Sequence, residues 1–112
     1  MAELQAQSCE ACKIDAPRLT DTEITNLINE INDWDLIQEP LKQIKKIFNF
    51  PDYQSGVNFL NAVATMADQE DHHPELVLEW GKVTVIWWSH KIKGLHKNDF
   101  ICASKTDYLY LN

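Results

Sequence analysis

Apolar and polar positions along this chain recur in two rhythms, and the change from one to the other marks out its elements. "LTDTEITNLINEINDW" has Thr20 or Asp21 as a helix N-cap, followed by Ile24, Leu27, Ile28 and Ile31 at helical spacing. "WDLIQE" and "LKQIKKIFNF" follow, separated by Pro40, and read as two strands, the second with Ile47 and the Phe48/Phe50 pair in period-two alternation over part of its length. Asp52, after Pro51, can cap a second helix on which Tyr53, Val57, Leu60, Ala64 and Ala67 form an apolar stripe. That helix must end near residue 71, because Pro74 pushes His73 out of the helical region. "ELVLEW" and "VTVIWWSH" are strand-like runs joined at Gly81-Lys82, where glycine in the first loop position predicts a type II′ hairpin. "KNDFICASKTDYLYL" reads as a last helix with Asn98 or Asp99 near its start. The order α-β-β-α-β-β-α predicts an α+β fold, a four-stranded antiparallel sheet with helices packed on one face. Residues 1–19 read as an irregular N-terminal arm, and residues 20–112 as a single domain.

Charge narrows the possible partners. The formal net charge is −7, and Arg18 is the only arginine, so a phosphate backbone would be repelled and nucleic acid is not an expected partner. No apolar run approaches the roughly 20 residues that span a bilayer, and "MAELQAQSCEACK" lacks the basic-then-apolar order of a secretory signal. A cytoplasmic protein without a membrane partner is expected. Cys9 and Cys12 form a CxxC, but a structural zinc site usually needs a second such pair, which is missing. Cys102, between apolar residues in "FICAS", is expected to be buried.

The stretch "DQEDHHPELVLEW" carries the candidate chemistry. Pro74 fixes a corner where helix hands over to strand, and side chains held there on a rigid frame suit a site. His90 ends the strand that pairs with "ELVLEW", and by alternation it shares a face with Thr84, Ile86 and Trp88. A hairpin turning at Gly81-Lys82 brings residue 90 near residues 72–75, so His72, His73 and His90 are expected to converge. Asp68 lies one turn before His72, at i, i+4, and Asp71 and Glu75 flank the histidine pair. A carboxylate beside an imidazole fixes its tautomer and favours its protonated form. One neutral and one cationic imidazole would supply a base and an acid, which suits removal of water from a heteroatom-rich substrate. Three histidines can also bind zinc, as in a zinc hydrolase, but no HExxH motif is present, and metal-free acid–base chemistry ranks above it. His96, in "GLHKND", reads as a residue of a solvated loop.

With these residues in place, the sequence resembles the pterin-4a-carbinolamine dehydratases. The family pattern places a charged residue, three residues, HHP, an aromatic, a histidine and an aspartate at fixed gaps. Here it reads Asp68, "QED", His72-His73-Pro74, "ELVLE" and Trp80, then nine residues to His90 and eight more to Asp99. The likeness extends upstream through Trp34, "FNFPDY" and "FLNAVATMAD", and downstream through "SHKIKGLHKNDFICA", over roughly residues 20–110. "IWW" at 86–88 is bulkier than the family pattern leads one to expect, and Trp88 is placed to narrow the pocket or cover an interface.

The resemblance implies a lyase that dehydrates 4a-hydroxytetrahydrobiopterin to the quinonoid dihydropterin, recycling the pterin cofactor of aromatic amino acid hydroxylases. It implies no metal and no cofactor, the pterin being the substrate. His72 and His90 would be the acid–base pair, with either able to fill either role, and His73 and Pro74 would shape and bind the pterin. Ser89 would line the pocket, with Asp68, Asp71 and Asp99 supporting the substrate or the imidazoles. A homo-oligomer, dimer or tetramer, is implied, and a phenylalanine hydroxylase is a candidate partner. The competing reading is a non-catalytic dimerisation or interaction module that stabilises a partner protein. It would need an exposed apolar patch on "LTDTEITNLINEI" or "SKTDYLYLN".

Overall fold

The computed structural model describes residues 4–7, 9 and 17–111, so Cys12 and most of the expected arm lie outside the described residues. Element order is α1 (Asp21–Ile28), β1 (Asp35–Ile37), β2 (Gln43–Asn49), α2 (Tyr53–Gln69), β3 (Glu75–Glu79), β4 (Lys82–Trp87) and α3 (Lys97–Leu111). Short 3₁₀ turns form at Leu4–Ala6 and His90–Ile92. The strands make one antiparallel sheet in the order β1-β2-β4-β3, the α+β architecture that the α-β-β-α-β-β-α pattern predicts.

Each helix starts where a side chain can accept an otherwise unpaired backbone N–H. Thr20 and Glu23 form a capping box on α1, and Asp52 caps α2 by accepting from the Ser55 N–H at 2.7 Å. α1 is shorter than its apolar spacing suggests. It stops at Ile28, and Ile31 reaches the core from the irregular segment that follows.

The register sorts the sheet into two faces. Ile44 opposite Trp87, and Phe48 opposite Val83, which in turn faces Leu78, lie toward the helices, whereas Ile47, Thr84 and Val77 share the other side. Packing around Phe48 sets the rotation of α2. Phe59 lies 4.8 Å from Phe48 and 5.2 Å from Phe50, ring centre to ring centre. The buried stripe of α2 is therefore Gly56, Phe59, Val63, Met66 and Ala67, while Tyr53 and Ala64 of the expected stripe are exposed. The two stripes are nearly equally apolar in sequence, and the larger Phe59 decides which faces inward.

The hairpin also differs by one residue from expectation. Glu79 pairs with Lys82, so the loop is Trp80-Gly81, and the positive φ of 75° falls on its second residue. A type II′ turn needs positive φ at the first. At the N-terminus, Leu4 is buried in the main core and its turn packs on α3.

Candidate active site

The end of α2 places the histidine pair. Glu70 caps the helix and Asp71 takes a left-handed conformation at φ 51°. The His72 N–H then bonds back to the Ala67 carbonyl (3.1 Å) and the Asp71 N–H to that of Asp68 (3.2 Å). These two bonds define a Schellman closure, with Asp71 standing where glycine is usual and Pro74, four residues beyond the cap, blocking further helix. His72 thus leaves the helix before the i, i+4 relation to Asp68 can operate. The Asp68 carboxylate lies instead 3.6 Å from His73 Nε2, with both side chains largely in solvent.

His72 is buried and its partner is Asp99. Its Nε2 donates to Asp99 Oδ1 at 2.6 Å. Asp99 is fully buried and accepts two further bonds at Oδ2, from the Ser89 hydroxyl (2.8 Å) and the His96 N–H (2.9 Å). Ser89 is itself completely buried and turned toward Asp99, so its hydroxyl braces the carboxylate rather than lining an open surface. A neutral His72 that donates from Nε2 keeps its Nδ1 lone pair. Beneath it lies Trp87, parallel within 3° at 5.6 Å, whose Nε1 donates to Thr106 Oγ1 at 3.1 Å.

His90 is not part of a strand. β4 ends at Trp87, and His90 opens the 3₁₀ turn His90–Ile92 on an exposed surface. The turn folds back, with Ser89 bridged to Gly94 and Lys93 in the left-handed region at φ 50°. His90 Nε2 nevertheless reaches the His73 carbonyl at 3.1 Å, and its ring lies 4.2 Å from that of Trp88. The fold therefore brings His72, His73, His90, Ser89 and Asp99 together, with Pro74 beside them, half-buried at the corner. Asp68 and Asp71 sit exposed at its edge.

His96 departs most from expectation. It is half-buried at the N-terminus of α3, where its Nδ1 accepts the Asn98 N–H (3.1 Å) while its own N–H bonds to Asp99. This reciprocal arrangement is similar to a capping box, with His and Asp in place of Ser/Thr and Glu and the ring accepting from the second helical residue instead of the third. The spacing H-x-x-D in "HKND" was the available signal. Trp87 was the other unmarked member, because nothing local in the sequence shows which ring stacks beneath His72. Among the described residues, no group of three or more His, Cys, Asp or Glu side chains is arranged to hold a metal ion.

A buried Ser–Asp–His set, gathered from the turn after β4, the first turn of α3 and a proline-stopped helix end, defines an α+β domain of the pterin dehydratase class. The pterin 4 alpha carbinolamine dehydratase family profile matches residues 17–109, and the chain belongs to that family. A Marinobacter nauticus protein assigned by name to the pterin-4-alpha-carbinolamine dehydratases is 50% identical over 111 residues, covering 98% of this chain and 100% of that protein. A Photobacterium profundum protein of the same designation is 50% identical over 108 residues, covering 96% of each chain. Among solved structures, a transcriptional coactivator/pterin dehydratase from Brucella melitensis superposes with a TM-score of 0.78 at 26% identity, over 83% of this chain and 98% of that one. A pterin dehydratase-like protein described as a RuBisCO assembly factor in the alpha-carboxysome shares the fold, with a TM-score of 0.61 at 21% identity over 70% and 90% of the two chains.

Proposed function

We propose that the protein removes water from 4a-hydroxytetrahydrobiopterin to give the quinonoid dihydropterin, using imidazoles alone as acid and base. One observation carries the reading. A buried histidine is held by a triply bonded aspartate, and a second, accessible histidine is fixed to the backbone of the next residue. His72 suits the base. Its Nε2–H is committed to Asp99, and the carboxylate faces the imidazolium that forms when Nδ1 takes the pterin N–H proton. His90, held at Nε2 by the His73 carbonyl, would deliver a proton from Nδ1 to the departing hydroxyl. The substrate then loses one proton and one hydroxide, the elements of water. His73, Pro74 and the exposed Asp68 and Asp71 would contact the pterin, while Ser89 and Asp99 position His72 from behind. Recycling of a hydroxylase cofactor in the cytoplasm, by a dimer or tetramer, is the setting this reading implies.

The test is stopped-flow absorbance with carbinolamine generated enzymatically in the cuvette. His72→Ala and His90→Ala should each slow the enzymatic phase about 10²–10⁴-fold. A double variant that matches wild type would remove both residues from the reaction. The interaction-module reading draws on the Brucella relative's description as a transcriptional coactivator and on Tyr108 and Leu111, which are exposed at the end of α3. Size-exclusion chromatography with a candidate partner separates the two. Full turnover by a homo-oligomer that retains no partner leaves the module role without support.

A further inference from the structure

The site does not use the most unusual pair of side chains in the molecule. Cys9, on the N-terminal segment, places its Sγ 3.4 Å from the Sγ of Cys102 on α3, across a sequence separation of 93 residues. Both are free thiols. The surroundings fix this approach. The Cys9 N–H donates to Glu70 Oε1 at 2.8 Å, its thiol points at the Asn98 carbonyl at 3.8 Å, and Glu70 also faces Lys105 Nζ at 3.8 Å. Glu70 is the C-cap of α2, two residues before His72, and Cys102 lies one turn after Asp99. The segment bearing Cys9 therefore spans the two helix ends that supply the His72–Asp99 pair.

We propose that Cys9 and Cys102 are a modification site, a dithiol that a hydroperoxide converts reversibly to a disulfide, fastening the N-terminal segment across the ends of α2 and α3. The two sulfurs already touch, and closing to the roughly 2.05 Å of a disulfide needs a shift of little more than an ångström. The order of events follows from the environments. The adjacent Cys9 thiol, burial, and the nearby Asp99 and Glu70 carboxylates all push the Cys102 thiol far above its ordinary range, so it does not ionise to meet an oxidant. Half-buried Cys9 is the sulfur that peroxide can reach. Its thiolate attacks one peroxide oxygen, the S–O bond forms as the O–O bond breaks, and the released hydroxide is protonated to water. Cys102 sulfur then attacks the Cys9 sulfenic sulfur. The S–S bond forms, the S–O bond breaks, and the departing hydroxide takes the Cys102 proton. Two thiols and one peroxide give one disulfide and two waters, and an external dithiol reverses the bond by exchange.

The experiment uses the full chain, reduced, exposed to stoichiometric hydrogen peroxide, alkylated and digested with trypsin. The expected product is peptide 1–13 linked to peptide 98–105 through Cys9, with Cys12 alkylated. Closing so long a loop should raise Tm by on the order of 10 °C, reversed by dithiothreitol. Cys12→Ser should form the link as wild type does, whereas Cys9→Ser and Cys102→Ala should lose both the link and the shift. Because Cys9 lies at the surface side of the contact, its variant keeps the test decisive even if Cys102→Ala is poorly folded. A Cys9–Cys12 bond, over-oxidation without cross-linking, or a peroxide-dependent Tm rise that survives Cys9→Ser would each overturn the proposal. None of these readouts depends on turnover, so failure here is distinct from failure of the dehydratase reading.

Discussion

Asp99 concentrates more of the site's order than any histidine does. Three donors from three parts of the chain meet its carboxylate, which has no exposed surface. Asp99→Ala should cost about 3–5 kcal/mol in urea unfolding, since it strands the buried Ser89 hydroxyl, the His96 N–H and the His72 ring together. Asp99→Asn keeps the volume, but its amide NH₂ must face a donor. The expected outcome is a smaller stability loss and a turnover loss on the order of 10²-fold in the stopped-flow assay. Turnover unchanged in Asp99→Asn would show that the charge opposite His72 is irrelevant to the reaction. The identity of this residue was legible from its place at the end of the family pattern, and the nearness of residue 90 to the His73 backbone followed from the hairpin. What Asp99 touches was not legible. Ser89 and His96 reach it from ten and three residues away through a turn whose path depends on Lys93 adopting positive φ, and no periodicity records that choice.

At the scale of the elements, the segment carrying His90 is held from outside by Arg18. Arg18 Nε donates to the Ile92 carbonyl at 2.6 Å, and the adjacent Leu19 N–H bonds to Leu95. Gly94 lets the arginine pass. A Cβ there would stand 2.9 Å from Arg18 Cδ, inside any normal contact. Gly94→Ala should therefore displace the arginine and cost about 1–2 kcal/mol, and Arg18→Ala should cost a similar amount. The double variant should be no worse than either single one, and additive losses in a denaturation cycle would show that the two do not share one contact. Helix starts give a pH-dependent counterpart. The Ser55 N–H holds the Asp52 carboxyl below its ordinary value of 3.8, and the Thr20 backbone does the same for Glu23 against 4.5. A depressed folded pKa contributes stability above the unfolded value, and that stability is lost as pH falls through the folded one. Asp52→Asn keeps a cap without the charge. Its stability deficit relative to wild type should be constant above about pH 5 and shrink on acidification below 3.8. A deficit that does not change with pH would remove the charge from the cap's contribution. These caps were legible because they are local. The rotation of α2 was not, because two neighbouring stripes were both apolar and Phe48, on another element, chose between them.

For the whole molecule, the α-β-β-α-β-β-α order followed from local rhythm, but the central β2–β4 pairing is long-range and leaves no local trace. One consequence is Lys46. The register opposite Val85 places it on the helix-covered side of the sheet, between Ile44 and Phe48, where a lysine is least expected. Its Nζ bonds to Asp107 Oδ1 of α3 at 2.7 Å and to the Asn32 carbonyl at 3.0 Å, and lies 5.0 Å from the centre of the Phe48 ring. Asp107 Oδ2 meanwhile accepts from Trp34 Nε1 at 3.0 Å. One carboxylate thus joins the middle of the sheet, the segment before β1 and the last helix, and the two partners are not equivalent. Lys46→Met retains the apolar stem and leaves Asp107 bonded to Trp34, so it should cost about 1 kcal/mol or less. Asp107→Ala strands both the ammonium and the indole N–H, and should cost about 2–3 kcal/mol. If the loss in Asp107→Ala comes from the uncompensated cation, adding Lys46→Met must recover part of it. A double variant in urea unfolding that is less stable than Asp107→Ala alone would mean that the lysine acts through its packing against Trp34 and Phe48, with the ion pair incidental.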